Sequence, residues 1–119
     1  MTEACSFITQ QGPFAPTRHG ELGAAQGLDL VIDGADGRTT APGVVGEVLI
    51  RGPAVISGYF EGALPTAFTE DWLRTGDVGE LDAAGNLRLV ARLSEFINSG
   101  GIKVAPTEVE AALLTRPGV

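Results

Sequence analysis

The stretch VGELDAAGNLRLV, residues 78–90, decides the reading of this chain. Two strand-length runs, residues 78–81 and 86–90, flank Asp82, Ala83, Ala84 and Gly85. A turn-forming cluster between two such runs is the signature of a β-hairpin, with Gly85 at the position that needs a left-handed backbone. Upstream, EVLIR at residues 47–51 puts Val48 and Ile50 on one face and Glu47, Leu49 and Arg51 on the other, which predicts a strand with one solvated face. Further back, LDLVI at residues 28–32 runs into DGADG at 33–37, a strand closed by a tight turn. Only near the end does the period change. Pro106, Thr107 and Glu108 open a segment in which Val109, Ala112 and Leu113 share a helical face. Thr107 is the expected N-cap, and Pro117 and Gly118 stop the helix.

Composition agrees with a mainly β fold. The 17 glycines and seven prolines cut the chain into pieces too short for most helices. At 119 residues, 44% hydrophobic and 19% charged, the chain can build one core and has an ordinary globular balance. A net charge of -7 repels phosphate backbones, so nucleic acid is not an expected partner. Cys5 is the only cysteine, which excludes an internal disulfide and a thiolate zinc cluster and fits a reducing, cytoplasmic setting. No basic-then-apolar leader opens the sequence, and no apolar run approaches the ~18 residues of a membrane span. Cys5 reads as a small buried filler, Trp72, Tyr59 and Phe60 as core packing, and His19 as a solvated loop residue.

Short strings carry more than periodicity does, and their order carries most. The chain opens with Thr2 and Glu3 and continues with GEVLIRGPAVISGYF at 46–60, TAF at 66–68 and DWLRTGDVG at 71–79. After the hairpin comes ARLSEFINSGGIKVAPTEVEAAL at 91–113. This series resembles, in order and spacing, the core motifs of the adenylate-forming superfamily, which includes acyl-CoA synthetases, firefly luciferase and peptide-synthetase adenylation domains. The resemblance covers nearly the whole chain. It implies a small, distorted antiparallel β-barrel subdomain over residues 1–93, then a hinge and the beginning of an α+β C-terminal lid domain over 94–119. The activity it implies is AMP-forming ligation, in which an acid and ATP give acyl-AMP and pyrophosphate before coenzyme A takes the acyl group. The INSGGIKVAPTEVE string is similar to the acyl-CoA synthetase version of its motif.

By that resemblance Asp77 accepts hydrogen bonds from the ribose hydroxyls, for which an ionised two-oxygen acceptor suits. Arg92 reaches the ribose and phosphates with a permanent forked cation, although Ala91 stands where the family has glycine. Thr2 contacts phosphate, and Glu3 helps to hold Mg²⁺, which prefers hard oxygen ligands beside substrate phosphates. Ser94 occupies the hinge position, where the family has Asp or Lys. Ser99, Gly100 and Gly101 form the loop that approaches the pantetheine arm, and Lys103 is a further candidate for coenzyme A phosphates.

The glycine-, serine- and threonine-rich phosphate loop of that superfamily is not in the sequence. The resemblance therefore places that loop, the acyl pocket and the catalytic lysine outside these residues. The expected state is a fragment, inactive alone, with apolar faces left exposed and marginal stability or association. Two other readings stand beside it: part of an adenylation domain that loads a carrier protein, and a noncatalytic β module that binds nucleotide weakly or serves only in interaction.

Overall fold

A computed structural model describes residues 2–5, 8–12, 20–60 and 67–116. Ten strands and one α-helix follow in chain order: β1 (Thr9–Gln10), β2 (Glu21–Ala25), β3 (Asp29–Gly34), β4 (Gly37–Thr39), β5 (Gly46–Arg51), β6 (Phe68–Thr69), β7 (Trp72–Leu81), β8 (Asn86–Arg92), β9 (Ile97–Ser99), β10 (Ile102–Val104) and α1 (Pro106–Leu114). Single 3-10 turns occupy Thr2–Ala4 and Leu93–Glu95. Eight strands form one antiparallel sheet in the order β1-β2-β8-β7-β5-β3-β4, with β6 paired to β7, while β9 and β10 form a separate two-stranded sheet. The fold is mainly β, as expected.

The barrel is not seen. Among the described residues the sheet is open, ending at the two-residue β1 and the three-residue β4, which do not pair. Three bulges curve it, between Glu21 and Gly23, Glu47 and Leu49, and Val78 and Gly79. The curl brings Arg38 on β4 against Glu70 before β7 at 2.7 Å, a side-chain contact without the strand pairing that closure requires.

The core follows the alternation of β5. Val48 and Ile50 lie opposite Ile32 and Leu30 on β3, and Ile50 lies opposite Leu73 on β7. Those five side chains, with Ala4, Leu81 and Leu87, make the buried cluster. Each fully buried aliphatic side chain in it contributes about 1.5–3 kcal/mol relative to exposure. The other face of β5 is not solvated as its alternation suggested, since Leu49 is 0% and Glu47 8% exposed. Arg51 closes this end of the strand, sitting 4.5 Å over the Trp72 ring and pairing with Asp29 and Asp71.

The hairpin of residues 78–90 forms, within the longer strands β7 and β8. Asp82 Oδ1 accepts the Ala84 and Asn86 amides at 2.8 and 2.9 Å, and Gly85 has φ +82°. Helix α1 starts two residues earlier than expected. Ala105 rather than Thr107 is its N-cap, without a side-chain hydrogen bond, and Pro106 is its first residue. Proline suits that place because its missing N–H would have had no helical partner. Cys5 is exposed and Ala4 is the buried small residue; Phe60 is 86% exposed, whereas Trp72 is buried as expected. His19 lies outside the described residues.

Candidate functional site

Strand β7 is interrupted at Thr75, Gly76 and Asp77. Arg74 pairs with Leu49 and Val78 with Glu47, so three residues of β7 face the single Val48 of β5. An interruption of this size removes ladder partners, and the freed amides must find others. Side chains supply them. The Thr75 hydroxyl donates to the Val48 carbonyl at 2.8 Å and accepts the Asp77 amide at 3.1 Å. The Gly76 amide donates to Glu47 Oε1 at 3.2 Å, while Glu47 Oε2 accepts Arg74 Nε at 2.9 Å. Gly76 takes φ +74°, which costs glycine little and other residues much.

The bulge sets Asp77 directly opposite Arg92, at the end of β8. Arg92 Nε donates to Asp77 Oδ1 at 2.7 Å. The carboxylate side chain is 18% exposed and the guanidinium 58%. Hydrogen bonding to Asp77 is the main reason that Arg92 holds its proton more tightly than usual, with the charges of Asp77, Glu95 and Glu3 adding to it. The two line an open cleft of about 610 Å³ with Val45, Arg88 and, from α1, Glu108 and Ala111. A larger cleft of about 700 Å³ lies around Arg51, but there the guanidinium is already matched by Asp29 and Asp71.

The remaining expected residues fall into two groups. Glu3, in the N-terminal 3-10 turn, is partly buried and near enough to act on Arg92 through its charge; its Oε1 accepts the Tyr59 hydroxyl at 3.2 Å. Burial first, then Glu3, pushes the Tyr59 hydroxyl above its ordinary pKa. Thr2 is exposed beside Glu3. Beyond Arg92 lies the second group. Ser94 is the middle residue of the 3-10 turn joining β8 to β9, and no residue of that turn is buried. Ser99 ends β9, and Gly100 and Gly101, at φ +59° and +91°, make the two-residue turn into β10, where both central residues need positive φ. Asn98 Oδ1 accepts the Gly101 amide at 3.1 Å, and Lys103 stands opposite Asn98 in the ladder. Ser99, Gly100 and Gly101 do not line the cleft.

Glu47 and Arg74 also belong to the site, and no motif in the sequence singles them out. Their signal was a charged residue inside VVGEVLI, since a carboxylate between buried neighbours is kept only when hydrogen-bonded and paired. The pairing with Glu47 raises the pKa of Arg74.

No family model matches the chain. It is 40% identical to oxalate–CoA ligase of Arabidopsis thaliana, over 100% of this chain and 24% of that protein. It is 39% identical to 2-succinylbenzoate–CoA ligase of Bacillus subtilis, over 100% of this chain and 25% of the relative. The solved structure of the Bacillus subtilis O-succinylbenzoate coenzyme A synthetase in complex with ATP and magnesium ion superposes with a TM-score of 0.81 at 38% identity, over 100% of this chain and 26% of that one. The chain is a relative of the adenylate-forming acyl-CoA synthetases. It spans about a quarter of the length of the synthetases it matches. Among the described residues no helix is long and apolar enough to cross a membrane.

Proposed function

We propose that this chain supplies one wall of the nucleotide site in an ATP-dependent acyl-CoA ligase, and is inactive on its own. The observation that carries the reading is the meeting of Asp77 and Arg92 across a bulge of β7, in a chain aligned along its whole length with CoA ligases. In the first half-reaction a carboxylate oxygen of the acid attacks the α-phosphorus of ATP and pyrophosphate leaves. In the second the coenzyme A thiolate attacks the acyl carbonyl and AMP leaves. Asp77, with one oxygen held by Arg92, accepts ribose hydroxyls on the other. Arg92 holds the ribose and phosphates with a charge that persists at any working pH. Thr2 donates to phosphate.

Glu3 fits a magnesium ligand, since one carboxylate beside substrate phosphates is the usual protein share of such a site. The described residues contain no group of three metal-ligating side chains, so the phosphates would complete the shell. The ion would neutralise phosphate charge there.

Residues 1–93 then form the nucleotide-binding unit and 94–119 the start of the lid, with the turn around Ser94 as hinge. The exposed Ser99–Gly101 turn and Lys103 would meet the pantetheine arm and phosphates of coenzyme A. The acid is not specified, since the relatives act on oxalate and on 2-succinylbenzoate. The remaining subdomains of the ligase are the expected protein partners, the net charge disfavours nucleic acid, and the setting is cytoplasmic.

The test grafts residues 1–119 in place of the matching quarter of the Bacillus subtilis synthetase and measures acid-dependent exchange of pyrophosphate into ATP. The graft should exchange, and Asp77→Ala should slow exchange by about 100-fold, the worth of two hydrogen bonds to a charged acceptor. A folded graft whose exchange is indifferent to Asp77→Ala would refute the reading. A graft that charges a phosphopantetheinyl carrier protein in preference to coenzyme A would replace the ligase by a carrier-loading enzyme.

A further inference from the structure

We propose that Glu47 is a positioning residue for the nucleotide site, acting on Asp77 through the Gly76 amide; this rests on the reading of Asp77 given above. Glu47 is 8% exposed, the only buried charged residue among those described. Its two oxygens are committed in different directions, Oε1 to the Gly76 amide and Oε2 to the Arg74 guanidinium. Gly76 is the middle residue of the interruption and Asp77 follows it. The angle at which the Asp77 carboxylate leaves β7 therefore depends on where the Gly76 peptide is held.

Two side chains hold that interruption, and they do different work. The Thr75 hydroxyl joins the Asp77 amide to the Val48 carbonyl within the strand pair. Glu47 is the only described side chain that reaches the Gly76 amide. Arg74 keeps it there: the guanidinium neutralises a carboxylate that burial would otherwise penalise, and its pull on Oε2 leaves Oε1 facing the amide. The site needs a carboxylate because both neighbours are donors. A glutamine presents one acceptor and one NH₂, and that NH₂ must face either the Gly76 N–H or the guanidinium, donor against donor. An aspartate keeps the charge but is one methylene short.

The first test is amide hydrogen exchange on the 119-residue chain. Glu47→Gln should speed exchange at Gly76 by about tenfold, the worth of one hydrogen bond to a charged acceptor, and leave the β3–β5 ladder amides at their original rates. Acceleration of every amide together would make Glu47 a stability element only and overturn the proposal. Should Glu47→Gln unfold the chain, Glu47→Asp retains the charge against Arg74 and reads the same amide. Gly76 exchange at the original rate in the aspartate variant would count against the proposal.

The second test is a double-mutant cycle in the grafted synthetase. Glu47→Gln should raise KM for ATP by about tenfold in the parent and by less than about twofold when Asp77 is already Asn, because its effect passes through that carboxylate. An equal rise in both backgrounds sinks the positioning role and leaves the nucleotide reading intact. A KM for ATP that ignores Asp77→Asn sinks both.

Discussion

The two halves of the molecule on either side of Arg92 are held together differently. Before it, β5 and β7 bury Val48, Leu49, Ile50 and Leu73 to 1% exposure or less and match the buried Glu47 carboxylate with three donors. After it, Ala105 is the one buried residue described, while Ile97, Ile102, Val109, Leu113 and Leu114 are all at least 39% exposed. In the first half the buried Glu47 carboxylate and the Asp77 carboxylate have partners within this chain, so the Asp77 carboxylate and the Arg92 guanidinium are set in place before any ligand arrives. In the second, a helix and a short hairpin present apolar side chains that the described residues leave uncovered. The turn between them, Leu93–Glu95, has no buried residue.

The largest expected effect tests this contrast directly. Leu49→Ala empties a fully buried position and should cost about 2–5 kcal/mol, read as a lower urea midpoint with unchanged slope. Leu114→Ala, at a position 72% exposed, should stay within about 0.5 kcal/mol. Comparable losses at the two sites would mean that α1 is covered in solution, by a second copy or by the chain itself, and the contrast would fail. A cooperative monomer of ordinary stability would count against the marginal stability expected of so much uncovered surface.

A smaller effect separates two of the positive-φ glycines, Gly76 and Gly100. At Gly76 an added Cβ meets nothing within 4 Å, so Gly76→Ala is opposed by backbone strain alone, about 1–3 kcal/mol. The same holds sterically at Gly100, where φ is +59°. Gly76 lies within the central ladder and its strain should appear in the global melt, whereas Gly100 lies in a two-stranded sheet that can open by itself. Gly100→Ala should therefore leave the thermal midpoint nearly unmoved and loosen only β9 and β10 in hydrogen exchange. Equal shifts in midpoint would show that the halves unfold as one unit.

How far the sequence disclosed this arrangement depended on whether a feature was local. The β7–β8 hairpin was legible because Asp82 to Gly85 carry their own turn chemistry, and the break before α1 because Pro106 cannot continue a strand ladder. The solvated face assigned to β5 was wrong because alternation reports which residues share a face and not what lies against it. Glu47 is matched by Arg74 and Gly76, 27 and 29 residues away, and Leu49 is fully buried. The barrel is unconfirmed among the described residues for a related reason: closure depends on whether end strands meet, and nothing within β1 or β4 encodes that. At the site, Asp77 and Arg92 were legible as members of a motif series, whereas Glu47 required the register of β5 against β7. That register is skewed by two residues at the Thr75–Asp77 interruption, which no periodicity in either strand announces.

The smallest effect compares the two hairpin turns by their caps. In the β7–β8 turn the cap is the Asp82 carboxylate, and in the β9–β10 turn the neutral Asn98 amide accepts the Gly101 N–H. Hydrogen bonds from the Asn86 side chain and then its backbone hold the Asp82 carboxyl below the usual 3.8. A lowered folded pKa means that this contribution is fully present above 3.8 and is lost as pH falls through the folded value. On acid titration the Ala84 and Asn86 amide resonances should therefore move with the Asp82 carboxyl carbon, at a midpoint below 3.8, while Gly101 stays still because its acceptor does not titrate in that range. Asn86→Ala removes the largest stabiliser of the ionised carboxylate and should shift the midpoint upward toward 3.8. If Gly101 moved in step with Ala84, the turns would be coupled through the sheet, and the division at Arg92 would lie elsewhere.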